Sequence, residues 1–137
     1  MTVMPNVPIH MTRGTAEFTV LASLLRSVTA NSDTIENVGW RGVVLFLNIT
    51  AEDGAITLTP KVQVLDPVSG AWVDLAGAVF AAQTATTAAP VMLTIYPGIA
   101  ETANVSVSDV LPRNWRVVAT MSGTTSMTFS IGACYLP

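Results

Sequence analysis

Charge is what this 137-residue sequence has least of. Only 11% of its residues are Asp, Glu, Lys or Arg, six cations against nine anions, for a net charge of −3. Ordinary domains carry ~25%. A folded monomer of this mass exposes roughly 6,800 Å², which leaves about one charge per 450 Å². Disorder is excluded, because it requires low hydrophobicity and high charge while half of these residues are hydrophobic. Six cations offer little phosphate-neutralising potential, so no nucleic-acid partner is expected. A folded domain with much uncharged surface remains, and such surface usually means a partner.

Histidine and cysteine occur once each, at His10 and Cys134. One cysteine cannot close an intramolecular disulfide, which fits folding in a reducing cytoplasm. One histidine supplies neither a zinc cluster nor a well-placed Ser-His-Asp set. Cys134 has no histidine near it in sequence to activate it and reads as a buried structural thiol. Glu52 and Asp53, followed by Gly54, are the only adjacent acids and read first as a solvated turn. Asp33 and Glu36 lack the spacing of a calcium loop. There is no G-x-G-x-x-G and no phosphate loop. The expectation is a protein that is not an enzyme, with no metal and no cofactor.

Long apolar runs are missing too. The run Val43 to Leu47 is ended by Asn48, whereas a membrane helix needs about 20 apolar residues. No membrane partner is expected. The opening stretch MTVMPNVPIHMTR has no charged leader before an apolar core, so it does not read as a signal peptide. The expectation is synthesis inside a cell and retention there until something releases the protein.

What the sequence does have is period-two alternation, with valine and threonine its commonest residues. Ile56, Leu58, Pro60, Val62 and Val64 alternate with Thr57, Thr59, Lys61 and Gln63. Met127, Phe129, Ile131, Ala133 and Tyr135 alternate with Thr128, Ser130, Gly132 and Cys134. Two shorter alternations start at Phe18 and Trp115. Such spacing puts one set on each face of a strand. Pro60 has no N–H to donate, so its strand is expected at an edge or with a bulge. Asp66-Pro67-Val68-Ser69-Gly70, Pro97-Gly98, Leu111-Pro112 and Ser122-Gly123 mark turns. Ala78 to Ala89 suits a strand followed by a loop. Roughly eight strands predict an all-β, two-sheet β-sandwich over 17–137, jelly-roll or immunoglobulin-like in order.

Three features point to partners. Residues 1–16 hold Pro5 and Pro8, which favour an extended backbone, together with Val7, Ile9 and Met11. They read as an extended N-terminal arm that docks through Val7, Ile9, His10, Met11 and Arg13, the alternative being a frayed terminus. Val43 to Ile49 is apolar on both sides, so Val44 and Phe46 face either a neighbouring subunit or more of their own chain. Trp40, Arg41, Arg113 and Arg116 are further interface candidates, since aromatic anchors and arginine forks suit partner surfaces. Trp115 alternates in phase with Val117 and reads as core. A sugar platform built on Trp40 and Trp72 is the competing reading of the tryptophans.

The succession WRGVVLFLNIT, DPVSGAWVDL, IYPGI, VLPRNWRVVATMSG and MTFSIGACYL, within Val38 to Pro137, resembles small structural proteins of tailed bacteriophages. The resemblance lies in an R-G-V opening strand, a D-P-x-S-G hairpin, a Y-P-G turn and an L-P-x-x-W-R-V strand. It implies a virion protein, foremost a head decoration (cement) protein. Such a protein sits on the outer surface of the phage head as a homotrimer and binds the major capsid protein. A carbohydrate-binding module and a tail-tube or head–tail connector component are the alternatives.

Overall fold

The computed structural model describes residues 16–84 and 90–137. The expected arm residues Val7, Ile9, His10, Met11 and Arg13 therefore lie outside the described residues. The described residues form ten strands: β1 (Glu17–Arg26), β2 (Ala30–Asn31), β3 (Ile35–Glu36), β4 (Gly42–Asp53), β5 (Ile56–Leu65), β6 (Trp72–Val79), β7 (Val91–Ile95), β8 (Ser106–Val107), β9 (Asn114–Gly123) and β10 (Ser126–Leu136). β1, β5, β9 and β10 cover the alternating runs, and β4 covers the run that is apolar on both sides. The additional strands are the two-residue ones, too short to show a period.

The strands form two sheets packed face to face. The first sheet has the order β1-β10-β4-β7-β8, and the second has β2-β9-β5-β6 with β3 also on β9. The first strand thus lies beside the last, and the second and third lie beside the last but one. The chain is wrapped up like a folded hairpin, which is the jelly-roll order and not the immunoglobulin one. All pairings are antiparallel except β7 with β8.

Between the sheets the inward residues of β4, β5, β9 and β10 form one core. Leu45, Leu58, Leu93, Trp115, Phe129 and Ile131 are fully buried within it. On β1 the alternation from Phe18 slips at register shifts, leaving Leu21 buried and Ala22 and Leu24 exposed. Pro60 is not at an edge, because β5 lies between β9 and β6. Its neighbour β6 carries the irregularity instead. Lys61 pairs with Val79 and Gln63 with Asp74, so Leu75 to Ala78 face Val62 alone. Gly77, at φ 80°, allows that bulge. The Phe80 N–H then donates to the Pro60 carbonyl at 2.9 Å, a bond that uses only the group proline retains.

At one end the sheets are joined by an aromatic cluster. Trp115 Nε1 donates to Tyr135 Oη at 3.2 Å, and Tyr135 Oη donates to the Glu36 carbonyl at 3.1 Å. Trp40 stacks on the Tyr135 ring at 5.6 Å and 5°. Phe18 packs 4.9 Å from the same ring. Burial pushes the Tyr135 hydroxyl above the ordinary tyrosine value. The N-terminal side of β1 arrives here too, where the Ala16 carbonyl accepts from the Tyr135 N–H at 2.7 Å.

Candidate interaction surface

Strand β4 builds the most unusual surface. Val43, Leu45, Leu47 and Ile49 point into the core, so Val44 and Phe46 point outward from the middle of the first sheet. Phe46 lies opposite Gly132 of β10 on one side and Met92 of β7 on the other. Val44 lies opposite Cys134 and Thr94. Phe46 is 39% exposed and Met92 50%. Gly132 matters by what it lacks: a Cβ there would meet nothing nearer than the Phe18 carbonyl oxygen at 3.9 Å. One flank of the Phe46 ring therefore stays open.

No outward position on this part of the sheet is charged. Val44, Phe46 and Asn48 on β4, Ser130, Gly132, Cys134 and Leu136 on β10, and Met92 and Thr94 on β7 share the face. The nearest charge by register is Glu17, opposite Cys134 on the edge strand. Towards the Tyr135 end the face continues into a shallow groove of about 300 Å³, lined by Thr94, Tyr96, Ile99, Leu136 and Pro137. The Tyr96 hydroxyl donates to the Pro137 carbonyl at 2.8 Å. The Arg41 guanidinium lies 5.6 Å from the Tyr96 ring centroid and forms the rim. Past Met92 a second depression, about 530 Å³, extends to Val105.

The outward face of the second sheet is the opposite in character. Arg116 donates twice to Gln63 Oε1, at 3.0 and 2.8 Å. Gln63 donates to Asp74 Oδ1 at 2.9 Å, and Lys61 to Asp74 Oδ2 at 3.1 Å. The Arg116 guanidinium also covers the Trp72 ring at 4.4 Å. Hydrogen bonds from Gln63 and then Lys61 hold the Asp74 carboxyl below its ordinary value. Every charge here already has a partner within the chain.

The expected interface residues are therefore divided. Val44 and Phe46 share the apolar face with Arg41 at its rim. Trp40 is half-buried against Tyr135, and Arg113 is paired with Glu36 at 2.9 Å. Arg116 lies on the other sheet. Each tryptophan has an occupied ring face: Trp115 is wholly buried, Trp40 is stacked and Trp72 is covered. Cys134 differs from its expected burial. It is half-buried and points outward beside Val44, because it alternates with the core residues Ala133 and Tyr135.

Sequence reasoning missed Met92, Thr94 and Leu136 as members of this face. Only the pairing of β4 with β7 and β10 assembles them, and that pairing is non-local. The available signal was on β10, where alternation sets Gly132 and Cys134 opposite the core residues. Among the described residues no three His, Cys, Asp or Glu side chains converge on a metal-sized site. No family model, no curated protein and no solved structure matches this chain.

Proposed function

We propose that this chain is a capsid decoration (cement) protein of a tailed bacteriophage. In this reading it associates with copies of itself as a trimer and binds the major capsid protein on the outside of the assembled head. The observation that carries it is the uncharged apolar face around Phe46 and Met92. An exposed aromatic ring beside a thioether, with no charge at the neighbouring positions, suits burial against another apolar surface. The order of the phage-like motifs from Val38 to Pro137 supports the same reading. The jelly-roll order is compatible with it but adds little, since one fold serves many functions.

Affinity would come from apolar area at ~25 cal/mol per Å², reduced by the cost of ordering what docks. Linked sites in a trimer would then raise the effective concentration of each further contact. The arm residues Val7, Ile9, His10, Met11 and Arg13 would reach the shell or a neighbouring copy. Trp40, Trp72 and Trp115 give the sugar reading no comparable support, since each ring has an occupied face.

The test is addition of the purified chain to preassembled heads that lack it, with native mass measured alongside. Saturable binding by a three-copy species is the expected result. A single-copy protein that adds to no head would reject the proposal, and a six- or twelve-copy ring would favour a tail or connector component.

A further inference from the structure

We infer that the outward face of the first sheet is covered by the N-terminal segment of a neighbouring copy of this chain. Val7, Ile9 and Met11 would lie along the strip from Leu136 to Phe46. The inference rests on the self-association proposed above and names what fills its contact.

The first ground is where the described chain begins. Ala16 is held by Tyr135, and Glu17 lies opposite Cys134, at the Leu136 end of the face. Fifteen residues precede Ala16, enough to reach up to about 50 Å when extended. β1 runs antiparallel to β10, so the chain enters it at Glu17 from the Leu136 end of the face.

The second ground is pattern. Val3, Pro5, Val7, Ile9 and Met11 alternate with Thr2, Met4, Asn6, Pro8, His10 and Thr12. In an extended chain the first set shares one side. Pro5 and Pro8 have no N–H, so this stretch is poorly suited to add as a strand to a sheet edge. Contact through side chains across a face needs no such donor.

The third ground is the match in length and charge. Val7 to Met11 is four residue steps, about 13 Å of extended chain. Leu136 back to Gly132, the residue opposite Phe46, is also four residue steps of strand and about the same distance. Residues 1–12 contain no Asp, Glu, Lys or Arg, and neither do the outward positions from Leu136 to Ser130. Neither surface has to bury a charge to meet the other.

Cys134 lies under this strip and is the only cysteine, so it reports the contact directly. The full chain is compared with a variant lacking residues 1–12 by native mass and by reaction with an aromatic disulfide reagent. The full chain should be multi-copy, with Cys134 reacting at least about tenfold more slowly than in the variant, because a covered thiol reacts only through its open fraction. The variant should be single-copy, and a synthetic peptide of residues 1–14 should slow its labelling again. Full-length Ile9→Asp should behave like the truncated chain and guards against a truncation that fails to fold.

Three results would overturn the inference. A truncated chain that stays multi-copy with a protected thiol would mean that face packs on face, leaving the decoration proposal standing. A single-copy full chain with a protected thiol would mean that the segment folds back on its own subunit. Equal, fast labelling of both chains would mean that nothing covers the face. Head binding, measured separately on the full chain, decides the decoration reading whichever of these is found.

Discussion

The two outward faces of this sandwich solve the problem of an uncovered sheet differently. On the second sheet Arg116, Gln63, Lys61 and Asp74 bond one another, and Arg116 shields Trp72. That face is satisfied within one chain. On the first sheet Phe46 and Met92 stand out of an uncharged surface, with Gly132 leaving space beside the ring. Hydrophobic residues scattered singly on a surface need no explanation, but these are adjacent across a strand pair. The paired charges of the second sheet have no counterpart around Phe46, where the nearest charge by register is Glu17 on the edge strand, and that contrast is what singles out the first sheet.

The largest expected effect breaks the contrast at Phe46. Phe46→Asp should weaken self-association by about 2–4 kcal/mol, the range of a central interface anchor. Its denaturant midpoint should stay close to that of the parent, because the ring is already 39% exposed. Sedimentation and urea unfolding on the same samples separate the two outcomes. Trp72→Ala should do the reverse. Loss of the ring beneath Arg116 should lower stability by about 1–2 kcal/mol and leave association unchanged.

Ionic strength sharpens the comparison without a mutation. Association through an uncharged face should hold from ~0.1 M to ~1 M sodium chloride, while the exposed Lys61–Asp74 pair is screened over that range. Sulfate should strengthen association by favouring apolar burial. A titration of native mass against each salt checks this. The smallest effect belongs to Asp74. Its carboxyl gives up its proton more readily in the folded chain than in the unfolded one. The resulting stability is present above the ordinary aspartate value and is lost as pH falls through the depressed folded value. Asp74→Asn should remove that part of the acid dependence, with only a small change in neutral stability because the pair is exposed.

Much of the fold was legible because strands with one buried face show alternation. Met127 to Tyr135 and Ile56 to Val64 gave both the strands and their inward residues. Trp115 was recognisable as core by its phase with Val117. The jelly-roll order was not legible, since β1 beside β10 and β2 beside β9 are pairings of distant segments. The same non-locality hid Met92 and Leu136. Val43 to Ile49 gave half of the candidate site, because apolar residues on both sides of a strand leave Val44 and Phe46 needing cover. Nearness in sequence groups Arg116 with Arg113. Strand alternation separates them: Arg113 precedes β9 and pairs with Glu36, while Arg116 points out from the second sheet. Pro60 suggests an edge strand or a bulge, but β5 lies inside the sheet and the extra residues sit across from it in β6.

The central claim is that the charge-free face around Phe46 is where this protein meets other molecules. Its most direct test is the native mass of the parent chain and of Phe46→Asp over a common concentration series. The claim predicts a multi-copy parent and a folded, single-copy variant. A parent that stays single-copy at the highest concentration, or a variant that assembles as well as the parent, would contradict it.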